Sequence, residues 1–394
     1  MKIAVVGTGI AGLSSAYLLS RAHDVVLFEA NDYVGGHTNT VDVGELAIDT
    51  GFIVHNRRNY PLLTRLFDEL GVKTQPTVMS FSMECACGAA WSSRRPWTAG
   101  VGLREIIRFL RTAGAADVEG KTLAEFVSDA GYSETFLWHY LVPMTSALWS
   151  TAPGDALRVP ATFAIEFFRH HGMLGLRREQ WRTVVGGSRE YVRHLLEQSR
   201  LAVRLGHGIA KVSRTPGGVE LTLAEGTKVV ADGVVLATSA PTALGLLEAP
   251  TPLEQALLSP FEVTRNEVAL HSDVRFLPAR PGLRSAWNFR SAGCGVESPL
   301  PNVSYSMNRL QTLDAAREWC VTLNSTDEID PASIVRVIEY THPRVSFETL
   351  AAQPRLGELN SGVTSFAGAW QGYGFHEDGI RSGVAAAEHF GVTW

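Results

Sequence analysis

A chain of 394 residues with 45% hydrophobic and 19% charged side chains is long enough for two packed cores and too apolar to be disordered. Its net charge of −5, with no cluster of Lys and Arg interleaved with aromatics, excludes a nucleic-acid surface. Four cysteines, Cys85, Cys87, Cys294 and Cys320, are too few and too scattered for a disulfide framework, so a reducing cytoplasm is the expected compartment.

In chain order, Lys2 to Val6 is a short apolar strand that runs directly into a glycine-rich turn, which leaves no room for a secretory leader. Ile10 to Ser20 carries helix formers with apolar residues on one face, and Asp24 to Phe28 is again apolar and β-branched, giving a βαβ unit. The turn is Gly7-Thr8-Gly9-Ile10-Ala11-Gly12. Gly7 makes the tight turn, Gly9 admits a pyrophosphate to the backbone, and Gly12 lets helix and strand approach. The phosphates would sit at the helix N-terminus, where free N–H groups and the dipole favour an anion. Glu29, 17 residues after Gly12 at the end of the second strand, is placed to accept hydrogen bonds from the adenosine ribose, and its charge disfavours a 2′-phosphate. A dinucleotide other than NADP is therefore expected.

Tyr60 to Leu70 has Leu62, Leu63, Leu66, Phe67 and Leu70 at helical spacing and stops at Gly71. From Pro76 to Val184 aromatics accumulate among helical patterns, which suggests a separate, mainly helical domain able to build an apolar pocket for a small molecule. Cys85-Ala86-Cys87 could open a metal site, but Cys294 and Cys320 stand isolated and a closed zinc site needs four ligands, so no metal is expected. His170-His171 reads as a solvated turn before Gly172. Gly186-Gly187-Ser188 opens another helix, and Val219 to Leu223, Lys228 to Val230 and Gly233 to Ala237 read as strands. Gly206-His207-Gly208 lacks a third glycine at the required spacing, leaving one nucleotide site. Glu267 to Tyr340 alternates strands with loops, and Thr364 to Phe390 reads as strand, glycine-rich turn and helix. No run approaches the ~18–20 apolar residues that cross a bilayer, so the expectation is a soluble protein with at most peripheral membrane contact.

At Glu29-Ala30-Asn31-Asp32-Tyr33-Val34-Gly35-Gly36-His37-Thr38 the chain resembles the flavin-containing amine oxidase and phytoene-desaturase-like superfamily, whose first βαβ unit continues into a paired-glycine loop lining FAD. Phe366-Ala367-Gly368 followed by Gly374 to Gly383 is similar to that superfamily's C-terminal flavin segment, and Leu205 to Val212 with Asp232 to Ala237 to the strands that close its FAD domain. More narrowly, Asp49-Thr50-Gly51-Phe52-Ile53-Val54, Met307-Asn308-Arg309-Leu310-Gln311 and Tyr340-Thr341-His342-Pro343 resemble a bacterial branch of NAD/FAD-binding oxidoreductases often encoded beside cyclopropane-fatty-acid synthases.

The resemblance implies an α/β fold with a Rossmann-like FAD-binding domain of the glutathione-reductase and amine-oxidase type, formed by residues 1–75, 185–265 and 345–394. An inserted α+β substrate domain would comprise 76–184 and 266–344. It implies FAD contacts at Gly7, Gly9, Ile10, Ala11, Gly12, Glu29, Ala30, Gly35, Gly36, His37, Thr38, Gly51, Gly368, Phe375, His376 and Ile380, with Ile209 near the adenine. The chain departs from the superfamily at His37, where many members have Arg, at Ala369-Trp370, where an acid is usual, and at Phe375, where amine oxidases place a cage tyrosine. An amine-selecting cage is thus not expected.

Flavin enzymes oxidise carbon with reactivity that the cofactor supplies, while the protein supplies position and field. His376, at a helix start beside the flavin, and His342, Tyr305 and Asn308, in the substrate domain, are the candidate catalytic groups, each of which could instead be a satisfied structural side chain. Phe375, Trp370 and Tyr373 are candidate substrate or flavin walls. The expected activity is hydride transfer from an apolar acyl or alkenyl chain, as a desaturase, oxidase or double-bond isomerase. An amine or amino-acid oxidase releasing peroxide, and a non-catalytic flavoprotein partner of a lipid-modifying methyltransferase, are the alternatives.

Overall fold

The computed structural model describes residues 1–94, 102–174, 179–199, 201–295 and 300–394. The expected βαβ unit forms from β1 (Lys2–Val6), α1 (Ile10–Leu19) and β2 (Asp24–Phe28). β1 is paired in parallel on both sides, with β2 and with Gly233–Leu236, and Ile3 to Val6 are buried. A strand covered on both faces reads as a continuous apolar run rather than an alternating one, and Ile-Ala-Val-Val does so. Thr364–Phe366 and Ala202–Arg204 complete this five-stranded parallel sheet at its two edges. α1 is apolar almost all round because it is covered all round, lying against the sheet and against the C-terminal helix His376–His389.

α2 (Pro61–Leu70) starts on Pro61, whose missing N–H would have had no helical partner, and ends on Gly71 at φ +68°, as its sequence predicts. Its Leu63, Leu66, Phe67 and Leu70 are buried in the core beneath the parallel sheet. The carboxylate of Glu377, in the first turn of the C-terminal helix, accepts from the N–H groups of Leu62 (3.0 Å) and Leu63 (3.1 Å), tying the two helix starts together.

A second sheet has seven strands, in the order Ile334–Pro343, Val263–His271, Cys320–Leu323, Val303–Ser306, Trp287–Ser291, Phe81–Cys85 and Ala90–Ser92. The segment between Pro76 and Val184 is mainly helical, as expected, but it also contributes strands, two of which join this sheet. Phe81–Cys85 pairs in parallel with Trp287–Ser291 and carries Ala90–Ser92 into the sheet, before α3 (Leu103–Thr112) and the helices up to His170 cover one face. Strands of five and three residues leave little alternation to see, and the surrounding aromatics mask it. Those aromatics are core: Phe109, Phe126, Phe136, Phe163 and Phe168 are buried in one cluster with Val268, Val303 and Val321 of the sheet. Among the described residues no helix is long and apolar enough to cross a membrane.

Candidate active site

One cavity of about 1050 Å³ runs from the β1–α1 turn, past the start of the C-terminal helix, to the aromatic face of the helical layer. At its polar end Gly7 has φ +100°, and a Cβ on it would press on the Ala237 carbonyl. A Cβ on Gly12 would overlap the Gly7 carbonyl oxygen, so this glycine serves helix–strand approach from behind the cavity wall. Gly9 differs: a Cβ there meets no protein atom within 4 Å and would project into open space. Gly9, Ile10 and Ala11 line the cavity, and α1 has no side-chain N-cap, so its first N–H groups are left for another acceptor. A phosphate-bearing dinucleotide fits this cradle, and the volume leaves room for a second molecule beyond it.

Glu29 is buried at the same end. One carboxylate oxygen accepts from Thr8 N (3.1 Å) and Thr8 Oγ1 (2.5 Å), the other from Asn31 N and Asn31 Nδ2 (both 3.0 Å). A ribose hydroxyl reaching it would replace the Thr8 hydroxyl or the Asn31 amide. Gly35, Gly36, His37, Gly51, Gly368, Phe375 and His376 also line the cavity. Of the other residues expected at FAD, Ala30, Ile209 and Ile380 do not line it. Ile209 lies in an antiparallel strand opposite Leu223, and Ile380 points from the C-terminal helix into the core. Thr38 acts one step removed: its hydroxyl bonds Tyr191 OH and lies 3.0 Å from His376 Nε2.

The middle of the cavity holds three imidazoles that burial keeps neutral. His376, at the first turn of the C-terminal helix, stacks on Phe52 (ring centroids 3.7 Å apart) and is held well below the usual histidine range by burial, then by His37 and His55. His342 is lowered to about 3 by burial and by His37, and its Nδ1 lies 3.0 Å from Asn266 Nδ2. Asn266 also donates to Ser150 O and accepts from Asn324, which fixes the amide orientation and leaves the His342 proton on Nε2. His37 is lowered by burial, a backbone bond to Thr341 opposing, and stacks on Tyr340 (4.9 Å) while meeting His342 edge-on (5.3 Å). Tyr340 was not foreseen as a site residue; the quoted Tyr340-Thr341-His342-Pro343 motif was the available signal.

Of the remaining candidates, Tyr305 lines the cavity, edge-on to Trp287, its phenol pushed up by burial. Asn308 does not. Its amide donates to Arg317 O (2.8 Å) and its carbonyl accepts from Trp319 N (2.7 Å), which makes it a turn-holding residue and corrects its catalytic assignment. Trp370 lines the cavity with its indole N–H on Thr238 O (3.0 Å), whereas Tyr373 is absent from the lining and packs on Phe163 and Phe167, so it walls neither flavin nor substrate. Phe375 stacks on Phe167 (5.0 Å) at the cavity surface. His171, expected in a solvated turn, instead stacks on Phe167 (3.8 Å), lines the cavity and is lowered to about 4 by burial.

Sequence reasoning also missed the Ala237 to Pro241 turn, which lines the cavity opposite the glycine loop, and the role of Asp49. Asp49 is buried, accepts from Thr40 Oγ1 (2.6 Å), Ser188 N and Oγ (both 2.8 Å) and Gln311 Nε2 (3.1 Å), and is pushed up to about 6 by burial. Two distant motifs of the sequence, Asp49 to Val54 and Met307 to Gln311, thus meet in one bond network. Finally, Cys294 is not isolated: the parallel pairing of Phe81–Cys85 with Trp287–Ser291 carries it back to Cys85 and Cys87, while Cys320 remains apart, buried in its own strand.

A parallel nucleotide sheet with a glycine cradle, joined to an apolar chamber, defines an FAD-dependent oxidoreductase. The family model described as flavin containing amine oxidoreductase matches residues 10–281, and the chain belongs to that family. A 1-hydroxycarotenoid 3,4-desaturase of Flavobacterium sp. (strain P99-3) is 26% identical over 133 residues, covering 33% of this chain and 26% of that protein. An L-amino-acid oxidase of Demansia vestigiata is 55% identical over 40 residues, covering 10% and 8%. The matches thus span about a quarter or less of these relatives' own length. Among solved structures, a fatty acid isomerase of P. acnes that produces CLA superposes with a TM-score of 0.67 at 18% identity over 97% of this chain and 96% of that one. At that identity the likeness is one of fold.

Proposed function

We propose that this enzyme oxidises, or shifts a double bond in, an apolar acyl or alkenyl chain. The observation that carries the reading is the chemistry of the cavity beyond the nucleotide end, walled by Trp91, Leu110, Met144, Leu148, Trp149 and Phe375, with uncharged polar groups such as Ser80, Ser93, Tyr140 and the buried imidazoles beside them. Among the described lining residues the carboxylates are Glu29, at the nucleotide end, and Glu179 and Glu262, which pair with Arg58 (2.9 Å) and Arg344 (2.7 Å). A substrate ammonium entering the apolar end would therefore lose its hydration with no counter-charge to replace it. When bound, FAD supplies two-electron chemistry by accepting hydride from carbon. In this reading Gly7, Gly9, Ile10, Ala11 and Glu29 hold its phosphates and ribose, and Gly35, Gly36, Gly51 and Gly368, each lacking a Cβ that would press on the neighbouring chain, let the surrounding loops close into the wall beside it. His342, with its proton on Nε2, donates a hydrogen bond to a polar substrate group. His376, braced by Thr38 and Phe52, fixes the floor of the reacting region, and Phe375 with Phe167 excludes water.

The desaturase relative and the isomerase neighbour by fold support this reading from outside the chain. At the mouth, Val78, Leu103 and Ile107 are 61%, 44% and 40% exposed although they line the cavity, and Arg104 and Arg111 flank them on α3. That amphipathic face supports peripheral contact with an anionic lipid surface as the source of substrate.

The test is anaerobic mixing of the yellow protein with unsaturated or branched acyl lipids. Bleaching of the flavin band that air reverses identifies an oxidase or desaturase, and product formed without consumption of an acceptor identifies an isomerase. Rapid bleaching by small primary amines, with acyl lipids inert, overturns the proposal.

A further inference from the structure

Remote from the glycine cradle, three thiols and an imidazole from distant parts of the chain converge. Cys85 ends the strand Phe81–Cys85 and Cys87 lies in the hairpin turn that follows. Parallel pairing sets Ser291 opposite Cys85, Ala86 N donates to Ser291 O (3.0 Å), and the loop beyond brings Cys294 over the same turn. His139 comes from the helical layer, in a π-helical turn over Leu137–Leu141, and Trp91 Nε1 donates to its carbonyl (2.6 Å), pressing that turn against the hairpin. A π-turn inserts an extra residue into a helix, rotates its side chains out of register, and recurs where one of them has a task.

The four side chains place their ligand atoms together. Cys85 Sγ lies 4.0 Å from Cys294 Sγ, His139 Nε2 lies 3.5 Å from Cys87 Sγ and 3.1 Å from Cys294 Sγ, and all four atoms fall within 4.8 Å of one another. A zinc tetrahedron with bonds of ~2.3 Å to sulfur and ~2.0–2.1 Å to nitrogen has ligand-to-ligand edges of about 3.5–3.8 Å, within the spread observed here. The thiols are too far apart to be a formed disulfide, whose sulfurs stand ~2.05 Å apart. Three soft thiolates and one imidazole select zinc among the common divalent ions.

We propose that Cys85, Cys87, His139 and Cys294 bind one zinc ion in a closed structural Cys3His site. The ion would clamp the edge hairpin of the large sheet to the helical layer at His139, next to Tyr140, which lines the apolar chamber. It would thus set the rigidity of the substrate end and leave the nucleotide end untouched.

The test is zinc and FAD analysis of the holoprotein purified under reducing conditions, with Cys87→Ser and Cys294→Ser, both at exposed positions, as variants. About one zinc and one FAD per chain are expected in the native protein. Each variant should lose most of the zinc, keep the full FAD content that reports an intact fold, and melt several degrees lower. Cobalt exchanged into the native protein should add the visible bands of a tetrahedral thiolate complex at wavelengths longer than the flavin absorbs, a readout that needs no variant. A native protein with full FAD that neither contains nor takes up zinc overturns the proposal. So do variants that retain their zinc, or a Cys85–Cys294 disulfide found by mass spectrometry in the reduced preparation.

Discussion

The two ends of the cavity are built by opposite means. The nucleotide end is made of backbone and absent side chains: Gly7 for its φ, Gly12 for close packing, Gly9 for open space, and α1 for unused N–H groups. The chamber beyond is made of large side chains, such as Trp91, Met144, Trp149 and Phe375, with polar groups kept uncharged. A cofactor common to many enzymes needs a fixed cradle, whereas a substrate is selected by volume and charge. The difference lets the two ends be perturbed separately.

The sharpest break is at Gly9. Gly9→Val adds atoms where no protein atom stands, so the chain should fold with wild-type far-UV dichroism and emerge colourless, its FAD affinity lowered by at least about a hundredfold. Gly12→Val, which would drive Cβ into the Gly7 carbonyl, should instead fail to fold. A yellow Gly9→Val protein would place the pyrophosphate elsewhere.

Next in size, Phe375→Ala should retain FAD but lower kcat/KM for an acyl substrate by roughly ten- to a hundredfold, from the loss of ~1.5–3 kcal/mol of apolar contact. Loss of FAD with unchanged turnover per flavin would move Phe375 to the cofactor end. Glu29→Ala makes the converse test. It should weaken FAD about ten- to a hundredfold, since hydrogen bonds to a charged group contribute ~1.5–3 kcal/mol, with kcat per bound flavin preserved.

The smallest effect concerns pH. His342 titrates near 3 in the folded chain, below the ~6.5 of an unfolded histidine, so unfolding takes up a proton between those values. Stability from this neutral imidazole is present above about pH 6.5 and is lost as pH falls towards 3. The melting temperature should drop by about a few degrees between pH 6.5 and 4.5 on this account, and His342→Gln should remove that share of the drop while leaving the value at pH 8 within about a degree of its own pH 6.5 value. An unchanged pH profile would mean that His342 carries its charge in the folded protein.

The nucleotide end was legible in the sequence because its signals are local. Strand, glycine turn, helix and acid follow one another within Lys2 to Glu29, and Pro61–Leu70 declares both of its ends. The chamber was legible only as a tendency, since aromatics at helical spacing serve core and pocket alike: Phe136 is core, Phe167 faces both. What stayed hidden depends on strand pairing. Nothing near Cys294 signals that Trp287–Ser291 runs parallel to Phe81–Cys85, and a single buried bond set, Asp49 with Gln311, joins residues 262 apart. Asn308 illustrates the converse error, a polar residue in a quoted motif whose hydrogen bonds are spent inside its own turn.

The C-terminal helix has a consequence for biogenesis. It packs on α1, presents His376 to the cavity and bonds it to Thr38, 338 residues earlier, while the edge strand Thr364–Phe366 closes the parallel sheet. During synthesis the glycine cradle emerges long before the surface that completes it, and such non-local closure is slow and exposes apolar strands in the interval. β1 and α1 can pack on β2 early, but the face of α1 that meets the C-terminal helix stays uncovered until that helix has been made, so the flavin site is completed only after most of the other elements exist.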